Sequence, residues 1–162
     1  MRNVSGIADA GTFDRARAID RVVLDADDRV RRRIVLTTEK GQRLMLDFAE
    51  PMMLRDGDGL VLDDGAVVVV AGQAEALVEV GATRPADFVR LAWHIGNRHT
   101  DIQFMSERFR IRRDHVLEEM LRGLGARVLP LEASFDPEPA APRGGGHHHH
   151  DEEQAPHAPS SS

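Results

Sequence analysis

Between Thr83 and Gly96 the chain changes its hydrophobic period, and that change divides it into two folding problems. In TRPADFVRLAWHIG, Phe88, Leu91, Ala92 and Ile95 recur at i, i+3, i+4 and i+7, the one-sided apolar stripe of a helix. Pro85 suits its first turn, and Gly96 is a natural stop. Nothing before it reads this way. Up to Gly72, short Val, Ile and Leu runs are broken by turn signals, the pattern of strands. Arg29 to Leu36 and Arg43 to Phe48 form one expected hairpin around EKGQ. Leu60 to Leu62 and Val67 to Ala71 form another through DDG. Residues 1–73 are therefore expected to be a small antiparallel sandwich or barrel.

After the switch the elements alternate. EALVEVGA (75–82) reads as a strand, the Thr83–Gly96 stretch as a helix, and TDIQFM and RFRIR as two strands. Asp114 then caps a second helix, with Val116, Leu117, Met120, Leu121 and Leu124 on one side and Gly125 at its end. ARVLPLEA is a last strand. The order β-α-β-β-α-β is the ferredoxin-like plan, expected over residues 74–135. From Ser134 onward the composition turns to Pro, Ala, Gly, His, Asp, Glu and Ser, too poor in apolar residues to offset ordering entropy, so residues 136–162 are expected to be a disordered histidine-containing tail. The fold class is α+β.

Composition narrows the chemistry. The absence of cysteine excludes disulfides, Cys-based zinc sites, iron–sulfur clusters and thiol nucleophiles. The start, MRNVSGIADAG, has no apolar leader region, and no apolar run approaches the length of a membrane span, so a soluble cytoplasmic protein is expected. There is no phosphate loop, no dinucleotide fingerprint, no H-E-x-x-H and no G-x-S-x-G, and no nucleophile–base–orienter set. The expectation is a protein that is not an enzyme and has no catalytic cofactor.

Histidine remains. His99 follows Gly96, Asn97 and Arg98 in the loop between a helix and a strand. One imidazole holds a transition metal poorly, and a two-fold dimer would bring a second copy of His99 to the same ion. The tail carries His147, His148, His149 and His150, with His157 and the acidic Asp151, Glu152 and Glu153, a multidentate source suited to Ni, Cu, Zn or Co. His115 opens the second helix, where the dipole disfavours the protonated ring and so favours the form that binds metal. His94, at the end of the first helix, more often serves structure than metal. The competing reading is a nucleic-acid binder of the same plan, using Arg108, Arg110, Arg112 and Arg113. Against it stand a net charge of -6 and the lack of a stacking pattern on the central strands.

WHIGNRHTDIQF, RRDHVLEEMLRGLG and FDPE, followed by a histidine-containing tail, resemble the UreE family of urease accessory proteins, nickel metallochaperones for urease maturation. The resemblance covers about residues 20 to 138 and the tail. It implies a homodimer, an N-terminal β domain of peptide-binding type and a C-terminal ferredoxin-like metal-binding domain. It implies Ni(II) as cargo, with Zn(II) or Cu(II) as other ions the ligands accept. The implied partners are the accessory GTPase and the urease apoprotein complex, with no nucleic acid and no membrane. The family's interfacial histidine falls on His99, and its tail ligands on His147–His150 and His157. The His-x-His pair that some members carry before the second helix is broken here: Arg113 stands in the first position and only His115 remains.

Overall fold

The structure is a computed structural model that describes residues 1–139. Two sheets and two helices make a mixed α+β fold. The first sheet holds β1 (Arg2–Ala8), β2 (Asp20–Leu24), β3 (Val30–Thr37), β4 (Arg43–Met53), β5 (Gly59–Leu62) and β6 (Val67–Gly72), in the order β2-β6-β5-β1-β4-β3. Both expected hairpins are present. In the β3–β4 turn, Gly41 takes φ 81°, and the Thr38 and Gln42 backbones close the loop with a 2.9 Å bond. A wholly antiparallel sheet is not what forms. β1 lies parallel to β4, with Arg2 opposite Leu44, and β2 lies parallel to β6, with Asp20 opposite Val68. Turn residues fix the direction only of strands they join directly. β1 and β2 reach their parallel partners through long connections that leave no such mark. Leu36, Leu44, Leu46, Leu60, Leu62 and Val70 are central to this sheet's core.

The second sheet runs β10-β7-β9-β8, every neighbouring pair antiparallel. In chain order its elements are β7 (Ala74–Gly81), α1 (Pro85–Gly96), β8 (Gln103–Phe104), β9 (Arg108–Arg112), α2 (His115–Gly123) and β10 (Arg127–Ser134). Alternation along β7 and β9 sends Val78, Val80, Phe109 and Ile111 to one face, where Leu91 and Ile95 of α1 and Leu121 of α2 cover them. Phe88 and Ala92 pack at the rim of this core, as the helical spacing requires.

Three local expectations are corrected. Val116 is 61% exposed and Leu124 45% exposed, so α2 does not bury its full apolar set. It turns Glu118 inward instead, where Arg113 and Arg122 hold the carboxylate. β8 is two residues long rather than six, because the Ile102 carbonyl is taken by the Glu138 N–H at 2.7 Å, not by a neighbouring strand. Order reaches past Asp136, where the tail was expected to begin: Asp136 pairs with Arg29 and the Glu138 N–H bonds at Ile102, just after Phe135 is buried against Ala26 and Leu77. Composition averages over a window and misses one anchoring phenylalanine.

Candidate metal centre

The end of α1 positions His99. Asn97 remains in the right-handed region, and its N–H, that of Arg98 and that of His99 bond back to the carbonyls of Trp93, Ile95 and Gly96 at 3.0, 3.0 and 3.1 Å. The reversal then falls on His99 itself, at φ 53°, where Gly96 was the expected terminator. Among the described residues no other non-glycine has a positive φ. Such a backbone costs about 1–3 kcal/mol, and histidine is among the side chains that tolerate it. The imidazole is exposed on a loop rooted in a helix whose Leu91 and Ile95 are fixed in the core.

The other histidines stand apart in role. His94 is half-buried, its ring edge-on to Trp93 at 5.1 Å, and its carbonyl accepts from Arg98 at 2.9 Å. His115 is exposed at the first position of α2, beside Asp114, whose carboxylate accepts the Val116 and Leu117 N–H groups at 2.9 and 3.0 Å. Among the described residues, no three His, Cys, Asp or Glu side chains gather into a set that could hold an ion. One chain's body therefore does not join His99 and His115 into a closed site. His147, His148, His149, His150 and His157 lie outside the described residues.

Two features near His99 escaped the sequence. Arg112 donates to Asp101, two residues past His99, at 2.9 Å, and also to Glu75 and Asp27 at 2.9 Å. The FDPE segment returns from β10 to bond at Ile102 and Gln103. The signal for the second was Phe135 itself, an isolated large apolar residue in a polar stretch.

The arginine cluster is neutralised. Arg108 and Arg110 share Glu79, Arg112 has Glu75, Asp27 and Asp101, and Arg113 has Glu118, so four guanidiniums face five carboxylates. That leaves no local surplus for a phosphate backbone. Arg113, where a metal-binding pair would need histidine, serves the buried Glu118 at 3.1 Å.

The same pairs give a pH dependence. The hydrogen bond from Arg113 is the main cause that holds the Glu118 carboxyl below its ordinary range, and that from Arg108 does the same for Glu79. A depressed folded pKa means the unfolded chain binds more protons as acid is added. This stability is therefore fully present above the ordinary carboxylate pKa of about 4.3 and is lost as pH falls through the folded values. Thermal melts from about pH 6 down to pH 3 should show a shallower decline for Glu118→Gln than for the wild type.

The described residues thus present His99 exposed on the loop after α1 and His115 exposed at the start of α2. The chain belongs to the UreE urease accessory protein family: the family's N-terminal domain model matches residues 2–72 and its C-terminal domain model residues 75–159. Its relatives include the urease accessory protein UreE of Bradyrhizobium sp. strain BTAi1, 54% identical over 124 residues, 76% of this chain and 60% of the relative. That of Rhodopseudomonas palustris strain BisB18 is 51% identical over 124 residues, 76% of this chain and 59% of the relative. Urease accessory protein UreE 1 of Brucella suis biovar 1 strain 1330 is 46% identical over 116 residues, 72% of either chain. The match thus spans about three-fifths of the length of the first of these relatives. Membership in a family of accessory proteins agrees with the expectation that the chain is not an enzyme. No helix among the described residues is long and apolar enough to cross a membrane.

Proposed function

We propose that the protein is a nickel metallochaperone that delivers Ni(II) for assembly of the urease active site. It acts in the cytoplasm as a homodimer, holding the ion between His99 of both protomers and recruiting His147–His150 from the tails. His115 and His157 are lesser ligands. The reading divides the chain into a partner-binding β domain over residues 1–73, a ferredoxin-like metal-binding domain over 74–135 and a histidine-containing tail over 136–162. The accessory GTPase and urease apoprotein complex are the receivers.

The observation that carries this reading is the left-handed backbone of an exposed histidine on a rigid helix end. Such strain at an exposed position points to function. The surface beside it suits a second copy: Val89 and Trp93, one turn apart on α1, are 65% and 64% exposed, and lead toward the loop. The tail can also reach. His147 lies eight residues beyond the last described one, within about 28 Å at full extension, and the Glu138 N–H is bonded at Ile102, near His99. Tethered imidazoles raise local ligand concentration, and because a ring must be unprotonated to bind metal, affinity falls as acid is added. By ligand type alone such a site also accepts Zn(II) and Cu(II).

The test is urease activation in cells across a range of added nickel. Ending the chain after Arg143 should impair activation when nickel is scarce and spare it when nickel is plentiful, whereas His99→Ala should impair it over a wider range. A truncation as defective as His99→Ala at every nickel level would make the tail the main delivery site.

A further inference from the structure

We propose that Arg112 is a positioning residue for metal capture: it ties down Asp101 and so holds the left-handed turn that presents His99. The inference deepens the reading of His99 as a metal ligand and rests on it.

A strained residue keeps its conformation only where its surroundings over-determine it. His99, at φ 53°, is fixed from one side by the bonds that the Asn97, Arg98 and His99 N–H groups make back to α1. On the other side, Thr100 and Asp101 make no backbone hydrogen bond to another described residue, and β8 begins only at Gln103. The first tie after His99 among the described residues is a side chain: Arg112 Nη1 donates to Asp101 Oδ2 at 2.9 Å.

The guanidinium that makes this bond is not free to follow the loop. Its Nε donates to Glu75 at 2.9 Å and its Nη2 to Asp27 at 2.9 Å, and the group stacks on the Phe135 ring at 5.0 Å. Glu75 is held in turn, because its second oxygen accepts the Ala26 N–H at 3.0 Å. One fork thus joins β7, the turn between β2 and β3, and the chain just after His99. Lysine keeps the charge but has no planar fork, so it does not serve three carboxylates in one fixed geometry.

Positioning and charge predict different results at Asp101. If its carboxylate attracts or ligates the cation, asparagine and alanine fail alike. If it only anchors the loop, asparagine suffices, because its carbonyl oxygen still accepts from Arg112.

The test uses the full-length protein with Arg112→Lys, Asp101→Ala and Asp101→Asn. The Asp101 side chain is 56% exposed, so its variants keep the test open should Arg112→Lys fail to fold. Without metal, the strong intraresidue Hα–HN nuclear Overhauser peak that a positive φ gives His99 should weaken in Arg112→Lys and Asp101→Ala and persist in Asp101→Asn. Amide exchange at Val78 and Val80, in the second core, should be unchanged. If the presenting conformer falls to about a fifth of the population, apparent affinity falls about fivefold. Calorimetric nickel titration should therefore show the tight step weakened about fivefold or more by Arg112→Lys and Asp101→Ala, and kept within about twofold by Asp101→Asn. In a His99→Ala chain the residual affinity should respond to neither Arg112→Lys nor Asp101→Ala. An unchanged His99 peak in Asp101→Ala overturns the proposal, and so does a loss of affinity in Asp101→Asn equal to that in Asp101→Ala. A tight step that persists in His99→Ala refutes the underlying reading instead, and the metal-free peak distinguishes the two failures.

Discussion

His99→Ala is expected to yield a folded protein that has lost its tightest nickel site. The imidazole is exposed, and its loop is held by backbone bonds that alanine preserves. Alanine keeps the left-handed strain, so stability should move by no more than about 0.5 kcal/mol. Glycine at the same position relieves that strain, and His99→Gly should equal or exceed wild-type stability by up to about 1 kcal/mol while binding nickel as poorly as His99→Ala. A loop that is strained for stability would lose in both respects; one strained to present a ligand loses only metal. Calorimetric titration and circular dichroism of the two variants separate these outcomes. Retention of the high-affinity phase in both would move the site to His115 or the tail.

Phe135→Ala is expected to cost about 3–5 kcal/mol, the range for truncating a fully buried aromatic ring. Against a typical total of roughly 5–15 kcal/mol, that is a large share. The ring is wholly buried with Leu77 and Ala26, under the Arg112 guanidinium, and its loss opens a cavity at the junction of the two sheets. Denaturant unfolding measures it. A change below about 1 kcal/mol would mean that the Phe135 ring does not anchor the segment after β10.

Both variants bear on what the sequence made visible. The helical stripe at Phe88, Leu91, Ala92 and Ile95 was legible because periodicity is local, and Asp114 capped α2 as its side chain predicts. Hairpin turns were legible for the same reason. The parallel pairings of β1 and β2 were not, because they join strands far apart in the chain. The inward turn of Glu118 was not legible either, because only the folded chain brings Arg113 and Arg122 to its carboxylate. Of the candidate site, the position of His99 between a helix and a strand was legible, but its left-handed backbone was not, since Gly96 one turn earlier offered the easier reversal. The pairing of Arg29 with Asp136 links residues 107 positions apart and has no local signature.

The claim that His99 from two protomers shares one ion is tested most directly by native mass spectrometry of the full-length protein titrated with Ni(II). The account predicts a dimer that takes up one tightly held ion per two chains before any weaker ones, and a His99→Ala dimer in which that first step is gone. A nickel-loaded monomer, or a first step unchanged by His99→Ala, would contradict it.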